Sequence, residues 1–251
     1  MSTKRNRVLA LHGFTGRGED FAEFSPLCHT IDAWHCPDLP GHGPNPQIDC
    51  TPEATVAFID THANAANILL GYSMGARAAL LHAVKNPAYW DALILISPNP
   101  GIEAAGERHK RQAADEKLAQ MIEQVGLASF LSYWQSRPLI QSQQRIKTSW
   151  REAMGRNRLQ HSEAGLASSL RGFGQGSYPN LWNKVAALST PMLLITGTED
   201  HKYTGIAERL TAGLIHSEHS RIASASHMPH LERPEATAKL IDRFIAGHLR
   251  P

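Results

Sequence analysis

The sequence predicts an α/β fold, a mostly parallel central sheet flanked by helices, with a helical insertion. Short apolar runs typical of buried strands recur near both ends of the 251-residue chain, and helical segments lie between them. From about residue 102 to residue 188 such runs are nearly absent, and charged, glutamine-rich sequence replaces them. This change of pattern predicts that helices are inserted between two strands of the sheet.

Six segments have the length and apolar continuity of buried parallel strands. In chain order they are RVLAL (7–11), IDAWHC (31–36), NILLG (67–71), ALILIS (92–97), MLLIT (192–196) and HSRIA (219–223). Two further segments have the pattern of helices, at Met74–Val84 and at Glu235–His248, and the second begins after Pro234. The alternation of strands and helices is the basis of the predicted fold class.

The insertion also sets the predicted domain organisation. Residues 1–101 and 189–251 form the two parts of the core, and residues 102–188 form the helical insertion. Ligands of open α/β sheets bind beyond the carboxyl ends of the strands, so an insertion that follows a strand is placed to cover the ligand. We therefore expect a lid; the alternative is a helical subdomain that only adds stability.

Composition argues against several classes of partner. The formal net charge is +2 and the basic residues are scattered, so we expect no nucleic-acid partner. The apolar stretch before His12 has four residues, too short for the core of a signal peptide, and no apolar run in the sequence is long enough for a membrane span. We expect a cytoplasmic protein with no membrane insertion that acts on a small molecule. The sequence leaves monomer and homo-oligomer open.

The sequence contains no signal for a cofactor or a metal. Cys28, Cys36 and Cys50 are odd in number and lack C-x-x-C spacing, which favours reduced thiols over disulfides or zinc ligands. No glycine-rich phosphate loop or dinucleotide fingerprint is present, so no cofactor is expected. His227 and His230 form a candidate metal pair, but no third ligand stands at a useful spacing, so no metal is expected either.

Ser73 lies between two glycines in the segment GYSMG (71–75), after an apolar run and before a helical segment. This is the context of a nucleophile elbow, in which glycines let a strand and a helix approach around a tight turn. The serine in such a turn is strained and its hydroxyl is exposed for reaction. We therefore predict that Ser73 carries the chemistry; the alternative is a serine that caps the helix.

A serine needs an imidazole to take its proton and a carboxylate to orient that imidazole. With a serine elbow, the expected chain order is serine, acid, histidine, and the last two predicted strands are followed by Asp200 and His227. Glu199 is the rival acid and His230 the rival base. We favour His227 because it follows the small residues ASAS directly after a strand, whereas His230 leads into the last helix.

A further segment, LALHGFTG (9–16), is similar to the loop that donates one backbone N–H to an oxyanion. We predict that the backbone amides of Phe14 and Met74 are the two donors. His12 is interpreted as a structural histidine bonded within the loop. Asp38 precedes the serine and is interpreted as a turn residue.

Five segments together resemble the α/β-hydrolase superfamily: LHGFTG (11–16), DLPGHG (38–43), GYSMGAR (71–77), GTED (197–200) and SHMPHLERP (226–234). The resemblance covers the chain outside the insertion and implies the α/β-hydrolase fold with a helical lid. Members of this superfamily include esterases, lipases, peptidases and lyases. The resemblance therefore implies catalytic machinery but leaves the substrate open.

A finer resemblance is to the 2-succinyl-6-hydroxy-2,4-cyclohexadiene-1-carboxylate synthases, lyases of menaquinone and phylloquinone biosynthesis. It rests on GYSMGAR and GTEDHKY (197–203), and on three segments of the insertion: SPNPGIEAAGERHKRQAADEKLA (97–119), FLSYWQSRPL (130–139) and GLASSLRGFGQGSYPNLW (165–182). It implies elimination of pyruvate from 2-succinyl-5-enolpyruvyl-6-hydroxy-3-cyclohexene-1-carboxylate, with the triad abstracting a proton. The alternative is a serine carboxylesterase or carbon–carbon bond hydrolase that acts on a small carboxylate-bearing substrate.

Arg77 is a lone guanidinium in the otherwise apolar helical segment after Ser73. A buried guanidinium is costly unless an anion meets it, and this one follows the serine by one helical turn. We predict that Arg77 meets a substrate carboxylate. The alternative is an ion pair with Asp38 or Asp20.

The resemblance also implies substrate-binding residues in the insertion. Arg108 and Arg111 are three residues apart on one helical face, and the resemblance assigns them to substrate carboxylates; the alternative is a solvated basic face. Tyr72, Trp134 and Lys202 are further candidates for the pocket, each with packing or surface exposure as its alternative.

Overall fold

The structure is a computed structural model that describes residues 5–249. The first four residues, part of the amino-terminal stretch considered for a targeting signal, and the last two lie outside the described residues. Six strands form one sheet in the order β2-β1-β3-β4-β5-β6, and every pair of neighbours is parallel. The strands are β1 (Arg7–Leu11), β2 (Ala33–His35), β3 (Ile68–Tyr72), β4 (Ala92–Ile96), β5 (Met192–Gly197) and β6 (Ser217–Ile222). The predicted fold class is confirmed.

The helices outside the insertion lie on both faces of this sheet. They are α1 (Pro52–His62), α2 (Met74–Lys85), α9 (His201–Ala212), α10 (Pro229–Glu232) and α11 (Pro234–His248). Side chains alternate across each strand, so Leu9 and Leu11 of β1 belong to the apolar layer that includes α1, α2 and α9, whereas Val8 and Ala10 belong to the layer that includes α10 and α11. Two apolar layers therefore enclose the sheet, as a parallel sheet requires.

The two edge strands correct the prediction of six buried strands. The four central strands are buried almost throughout, but β2 and β6 alternate between exposed and half-buried positions. An edge strand has a neighbour on one side alone, and β6 accordingly carries polar side chains such as Glu218 and Arg221. The continuous apolar runs in the sequence identified the strands but did not show which of them lie at the exposed edges of the sheet.

The insertion between β4 and β5 contributes six helices to the described part of the chain. They are α3 (Ala105–Val125), α4 (Leu127–Gln135), α5 (Pro138–Gln141), α6 (Thr148–Arg158), α7 (Glu163–Phe173) and α8 (Trp182–Val185). The first two and α7 share a small apolar core of their own, which includes Ile122, Phe130 and Leu166. This separate core suits the predicted boundaries of the insertion, which stay a prediction.

Within residues 5–249, no helix combines the length and the apolar character needed to cross a bilayer. Cys28, Cys36 and Cys50 are free thiols. Burial raises the pKa of Cys28 and of Cys36 to about 12, so neither is a reactive thiolate at neutral pH.

Candidate active site

The turn between β3 and α2 holds Ser73 in a strained conformation. Its backbone has φ 52° and ψ −104°, a positive-φ conformation that residues other than glycine rarely adopt. A Cβ atom on Gly71 would lie 2.4 Å from the Gly75 carbonyl oxygen, and one on Gly75 would lie 2.0 Å from the Leu11 carbonyl oxygen. Both flanking glycines are therefore required by close backbone contacts, which explains the spacing read from the sequence.

The structure brings the three predicted triad residues together at the carboxyl ends of β3, β5 and β6. The Ser73 hydroxyl lies 2.9 Å from His227 Nε2, and His227 Nδ1 lies 2.6 Å from Asp200 Oδ2. The arrangement suits an imidazole that donates from Nδ1 to the carboxylate and accepts from the serine at Nε2. His227 and Asp200 are each 3% exposed, so the imidazole and its carboxylate are shielded from water, whereas Ser73 is half-buried at the cavity. It can move a proton from the serine to the imidazole.

The rival acid, Glu199, and the rival base, His230, are not part of this hydrogen-bonded chain. Glu199 is exposed and pairs with Arg145 at 2.5 Å, whereas Asp200 turns inward and its carboxylate also accepts from the Tyr203 amide at the start of α9. The His230 ring lines the same cavity but stacks on Phe21 at 5.6 Å, whereas the hydroxyl of Ser73 is bonded to His227; burial lowers the pKa of His230 to about 3.

Two free amides face the same cavity as the serine. Among the described residues, the backbone N–H groups of Phe14 and Met74 have no protein acceptor, and both residues line the cavity beside Ser73. Met74 is also the first residue of α2, where unpaired amides and the helix dipole favour negative charge. This arrangement can hold an oxyanion.

His12 fixes the loop that carries Phe14. Its Nδ1 donates to the Gly13 carbonyl oxygen at 2.8 Å, and its Nε2 accepts from the Leu39 amide at 2.9 Å. Burial lowers its pKa to about 4, so the ring is neutral at physiological pH. Both nitrogens are engaged by backbone, as expected for a structural histidine. Asp38, interpreted as a turn residue, is instead the ion-pair partner of Arg17 at 2.9 Å.

The triad opens into a cavity of about 250 Å³ between the core and the insertion. Arg77, Arg111, Tyr72, Trp134 and Lys202 all line it, as predicted from the sequence. The core supplies Arg77, Tyr72 and Lys202, whereas α3 and α4 of the insertion supply the other two.

Arg108 does not line this cavity, and its assignment to a substrate carboxylate stays a prediction. It lies half-buried in the first turn of α3, and Arg111 lies about 4.5 Å farther along the helix axis. The two arginines share a helical face, but one turn of rise brings Arg111 alone to the cavity wall. Lys202 is exposed, and its ammonium lies 5.5 Å from the centre of the Tyr203 ring.

Arg77 is 6% exposed and has no carboxylate partner among the described residues. Its Nη2 donates to the Phe173 carbonyl oxygen at 2.7 Å, its guanidinium lies 5.6 Å from the Tyr178 ring centre, and its Nε is buried without a partner. Burial lowers its pKa. The alternative ion pair with Asp38 or Asp20 is therefore wrong.

Two arginines of the insertion were missed. Arg158, at the end of α6, is 6% exposed and lines the cavity; its Nη2 donates to Gln143 at 2.8 Å and its Nε has no partner. Arg137 also lines the cavity and donates to the Tyr133 hydroxyl at 2.9 Å. Arg158 stands in charged sequence typical of a solvated helix, and Arg137 stands between two helices in a segment with no other charge nearby, so no local signal identifies either as a cavity residue.

The cavity carries an excess of positive charge. Its basic lining residues are Arg77, Arg111, Arg137, Arg158 and Lys202, against Asp20 as the acidic one in the described lining. Arg111 is paired with Asp115 at 2.8 Å, but Arg77 and Arg158 meet neutral acceptors. Within the described residues, no three His, Cys, Asp or Glu side chains are grouped to hold a metal ion. The arrangement suits a ligand with several carboxylates.

Comparisons with known proteins give the family. The model of an alpha/beta hydrolase family matches residues 8–240. The protein of Bacillus subtilis named "Putative 2-succinyl-6-hydroxy-2,4-cyclohexadiene-1-carboxylate synthase" is 34% identical over 96% of this chain and 90% of its own length. The synthase of the same name from Serratia proteamaculans is 27% identical over 96% and 93%. The structure of MenH from S. aureus superposes with a TM-score of 0.88 at 28% identity, covering 99% of this chain and 96% of that one. This chain belongs to the alpha/beta hydrolase family and, within it, to the family of the 2-succinyl-6-hydroxy-2,4-cyclohexadiene-1-carboxylate synthases.

Proposed function

We propose that this protein is a carbon–oxygen lyase that eliminates pyruvate from 2-succinyl-5-enolpyruvyl-6-hydroxy-3-cyclohexene-1-carboxylate to give 2-succinyl-6-hydroxy-2,4-cyclohexadiene-1-carboxylate, a step of menaquinone and phylloquinone biosynthesis. The names of its relatives support this reaction. The observation that carries it is the pairing of a hydrogen-bonded Ser73–His227–Asp200 chain with a cavity lined by an excess of cations. An ester substrate without charge has no need of those cations.

In the proposed mechanism the Ser73 oxygen removes the substrate proton, and His227 is the base that activates the serine. His227 accepts the serine proton as the serine oxygen removes a proton from the carbon next to the substrate carbonyl, and the electron pair moves to the carbonyl oxygen. The Phe14 and Met74 amides hold the resulting enolate. When this substrate enolate returns its electron pair toward the ring, the carbon–oxygen bond to the enolpyruvyl group breaks and the enolate of pyruvate departs. The departing enolate takes its proton from His227 and tautomerises to pyruvate, while Asp200 stabilises the transient imidazolium.

The cations would bind and orient the carboxylates of the substrate. Arg77 and Arg158 offer guanidinium groups with unpartnered Nε atoms in a water-poor wall, where a charge-assisted hydrogen bond is strong. Arg111 and Lys202 lie at the more exposed side. Tyr72 and Trp134 complete the apolar part of the wall.

We also propose that the insertion, residues 102–188, acts as a lid, since it supplies Arg111, Trp134 and Arg158 to the lining of a cavity whose catalytic groups come from the core. The expected partner is a small polycarboxylate. The three free cysteines suit a reducing compartment, and we propose that the enzyme acts in the cytoplasm.

The alternative function is a carboxylesterase or carbon–carbon bond hydrolase in which Ser73 attacks as a nucleophile. The strained elbow favours it, because that geometry exposes a serine for attack. Two measurements separate the functions. The purified protein is given the enolpyruvyl substrate, with pyruvate followed through lactate dehydrogenase, beside a short p-nitrophenyl ester. A quenched reaction is then analysed by mass spectrometry, and a substrate-derived mass on Ser73 would favour the hydrolase.

The triad is tested by Ser73→Ala, His227→Ala and Asp200→Asn. Each should lower pyruvate release by about 10³-fold or more without loss of the fold, and their effects should not multiply because they act as one unit. His230→Ala is the matched histidine control. If His230→Ala proved as damaging as expected for His227→Ala, and His227→Ala kept near full turnover, the assignment of the base would be wrong.

A further inference from the structure

Glu232, at the end of α10, is a buried carboxylate that accepts hydrogen bonds from the loop that carries His227. It is 3% exposed, and its two oxygens accept hydrogen bonds from the Ser226 amide at 2.9 Å and the Met228 amide at 3.1 Å. These are the residues immediately before and after His227. The carboxylate therefore fixes the peptide group that follows His227 and the one that precedes Ser226.

The same carboxylate is bonded to the insertion. The Ser142 hydroxyl donates to Glu232 Oε1 at 2.9 Å, and an Arg145 Nη1 lies 3.8 Å from Oε2. Arg145 also pairs with Glu199, the residue next to Asp200. The segment Ser142–Arg145, a short 3-10 turn, thus contacts the loops of both the proposed acid and the proposed base.

That turn also reaches the cavity wall. Gln143, the neighbour of Ser142, lines the cavity and accepts from Arg158 Nη2 at 2.8 Å, and its amide lies 3.4 Å from the sulfur of Met228. A substrate carboxylate bound by Arg158 is therefore connected, through Gln143, to the turn whose Ser142 bonds to Glu232. A continuous set of contacts joins the cationic wall to the base loop.

We propose that Glu232 is a positioning residue that sets His227 for proton transfer and ties its placement to the position of the insertion through Ser142. The proposal rests on the assignment of His227 as the base. Its physical basis is local: without the carboxylate, two buried amides lose their acceptor and must find others by moving the loop. Shifts on the order of 1 Å in a catalytic group lower rates by about 10²-fold.

The first test compares Glu232→Ala with Glu232→Gln. We expect Glu232→Ala to lower kcat by on the order of 10²-fold with KM within about threefold, because Glu232 does not line the cavity. Glu232→Gln keeps one acceptor oxygen, so its kcat should lie between that of the parent enzyme and that of Glu232→Ala. The rate at which a fluorophosphonate labels Ser73 should fall in step with kcat, a readout that needs no bound substrate.

A folded Glu232→Ala protein with parental labelling rate and kcat would overturn the proposal and leave Glu232 a structural residue. If Glu232→Ala does not fold, the labelling rate of Glu232→Gln decides. Pyruvate release by the parent enzyme tests the proposed function separately: labelling of Ser73 can depend on Glu232 even if the enolpyruvyl substrate is not turned over.

The second test addresses the link to the insertion. Ser142→Ala removes the contact with Glu232 but leaves both amide bonds in place, and we expect it to lower kcat by about three- to tenfold. In the Glu232→Gln background the same change should have a smaller effect, because the two residues act through one contact. Ser136→Ala is the matched control, since Ser136 lies in the insertion and bonds to Tyr133 there. Equal effects of Ser142→Ala in both backgrounds would refute the link.

Discussion

Arg77→Met separates a substrate-binding arginine from a structural one, because the two roles predict opposite costs. In the absence of substrate, the guanidinium has one hydrogen bond, to the Phe173 carbonyl oxygen, and two aromatic contacts, with Phe173 and Tyr178. Losing the hydrogen bond removes about 1.5–3 kcal/mol and losing the ring contacts about 1–4 kcal/mol. Removing a poorly paired buried charge returns several kcal/mol of desolvation. The terms nearly cancel, and methionine fills most of the space.

We therefore expect the free energy of unfolding of Arg77→Met to stay within about 1.5 kcal/mol of the parent, while kcat/KM for the enolpyruvyl substrate falls by about 2–4 kcal/mol, on the order of 30- to 1000-fold. Urea unfolding and pyruvate release measure the two quantities. Arg209→Met is the matched control, because Arg209 is exposed and pairs with Glu103 outside the catalytic cavity. The reasoning fails if Arg77→Met keeps kcat/KM within about threefold and loses more than about 3 kcal/mol of stability.

Two further predictions follow from the described wall and the buried histidines. Arg111→Ala should lower kcat/KM for the enolpyruvyl substrate by about tenfold or more, whereas Arg108→Ala should stay within about threefold, since Arg111 alone lines the cavity; equal effects in steady-state assays would contradict this. Burial lowers the pKa of His12 and His161 from 6.5 to about 4, and that of His230 to about 3. The unfolded chain takes up these protons below pH 6.5 but the folded protein only near pH 4, or near pH 3 at His230, so stability falls as pH drops through that window, by about 3 kcal/mol each for His12 and His161 and by more for His230. Equal urea midpoints at pH 7 and pH 5 would disprove it.

The parts of the site that depend on short segments were predictable from the sequence. The Ser73 turn needs glycine on both sides because backbone segments lie in close contact there, so the five residues 71–75 are enough to predict its geometry. The choice between Asp200 and Glu199 needed the structure, because adjacent carboxylates point in opposite directions and the start of α9 decides which one turns inward. The order of residues along the chain predicted an acid directly after β5, and the direction of the backbone there turns Asp200, not Glu199, toward His227.

The wall built by the insertion was less predictable. Arg108 and Arg111 have the same local pattern, and the position of α3 along its own axis decides which of them reaches the cavity. Arg158 stands in charged sequence that normally faces water, yet packing of α6 against the core buries it. Such burial is a property of how helices pack together, and no window of the sequence contains it.

Several residues that break the usual rules of protein structure lie around the catalytic cavity. Ser73 has a positive φ, Arg77 and Arg158 each bury an Nε without a partner, and the Nδ1 of His230 is buried without one. Each feature costs stability in the protein alone, and proteins keep such costs where function requires them. The two guanidinium groups lie in the wall of the same cavity, so a ligand with several carboxylates would satisfy both at once. A neutral ester would leave both unsatisfied, and for that reason the unpaired arginines, more than the triad, favour the lyase.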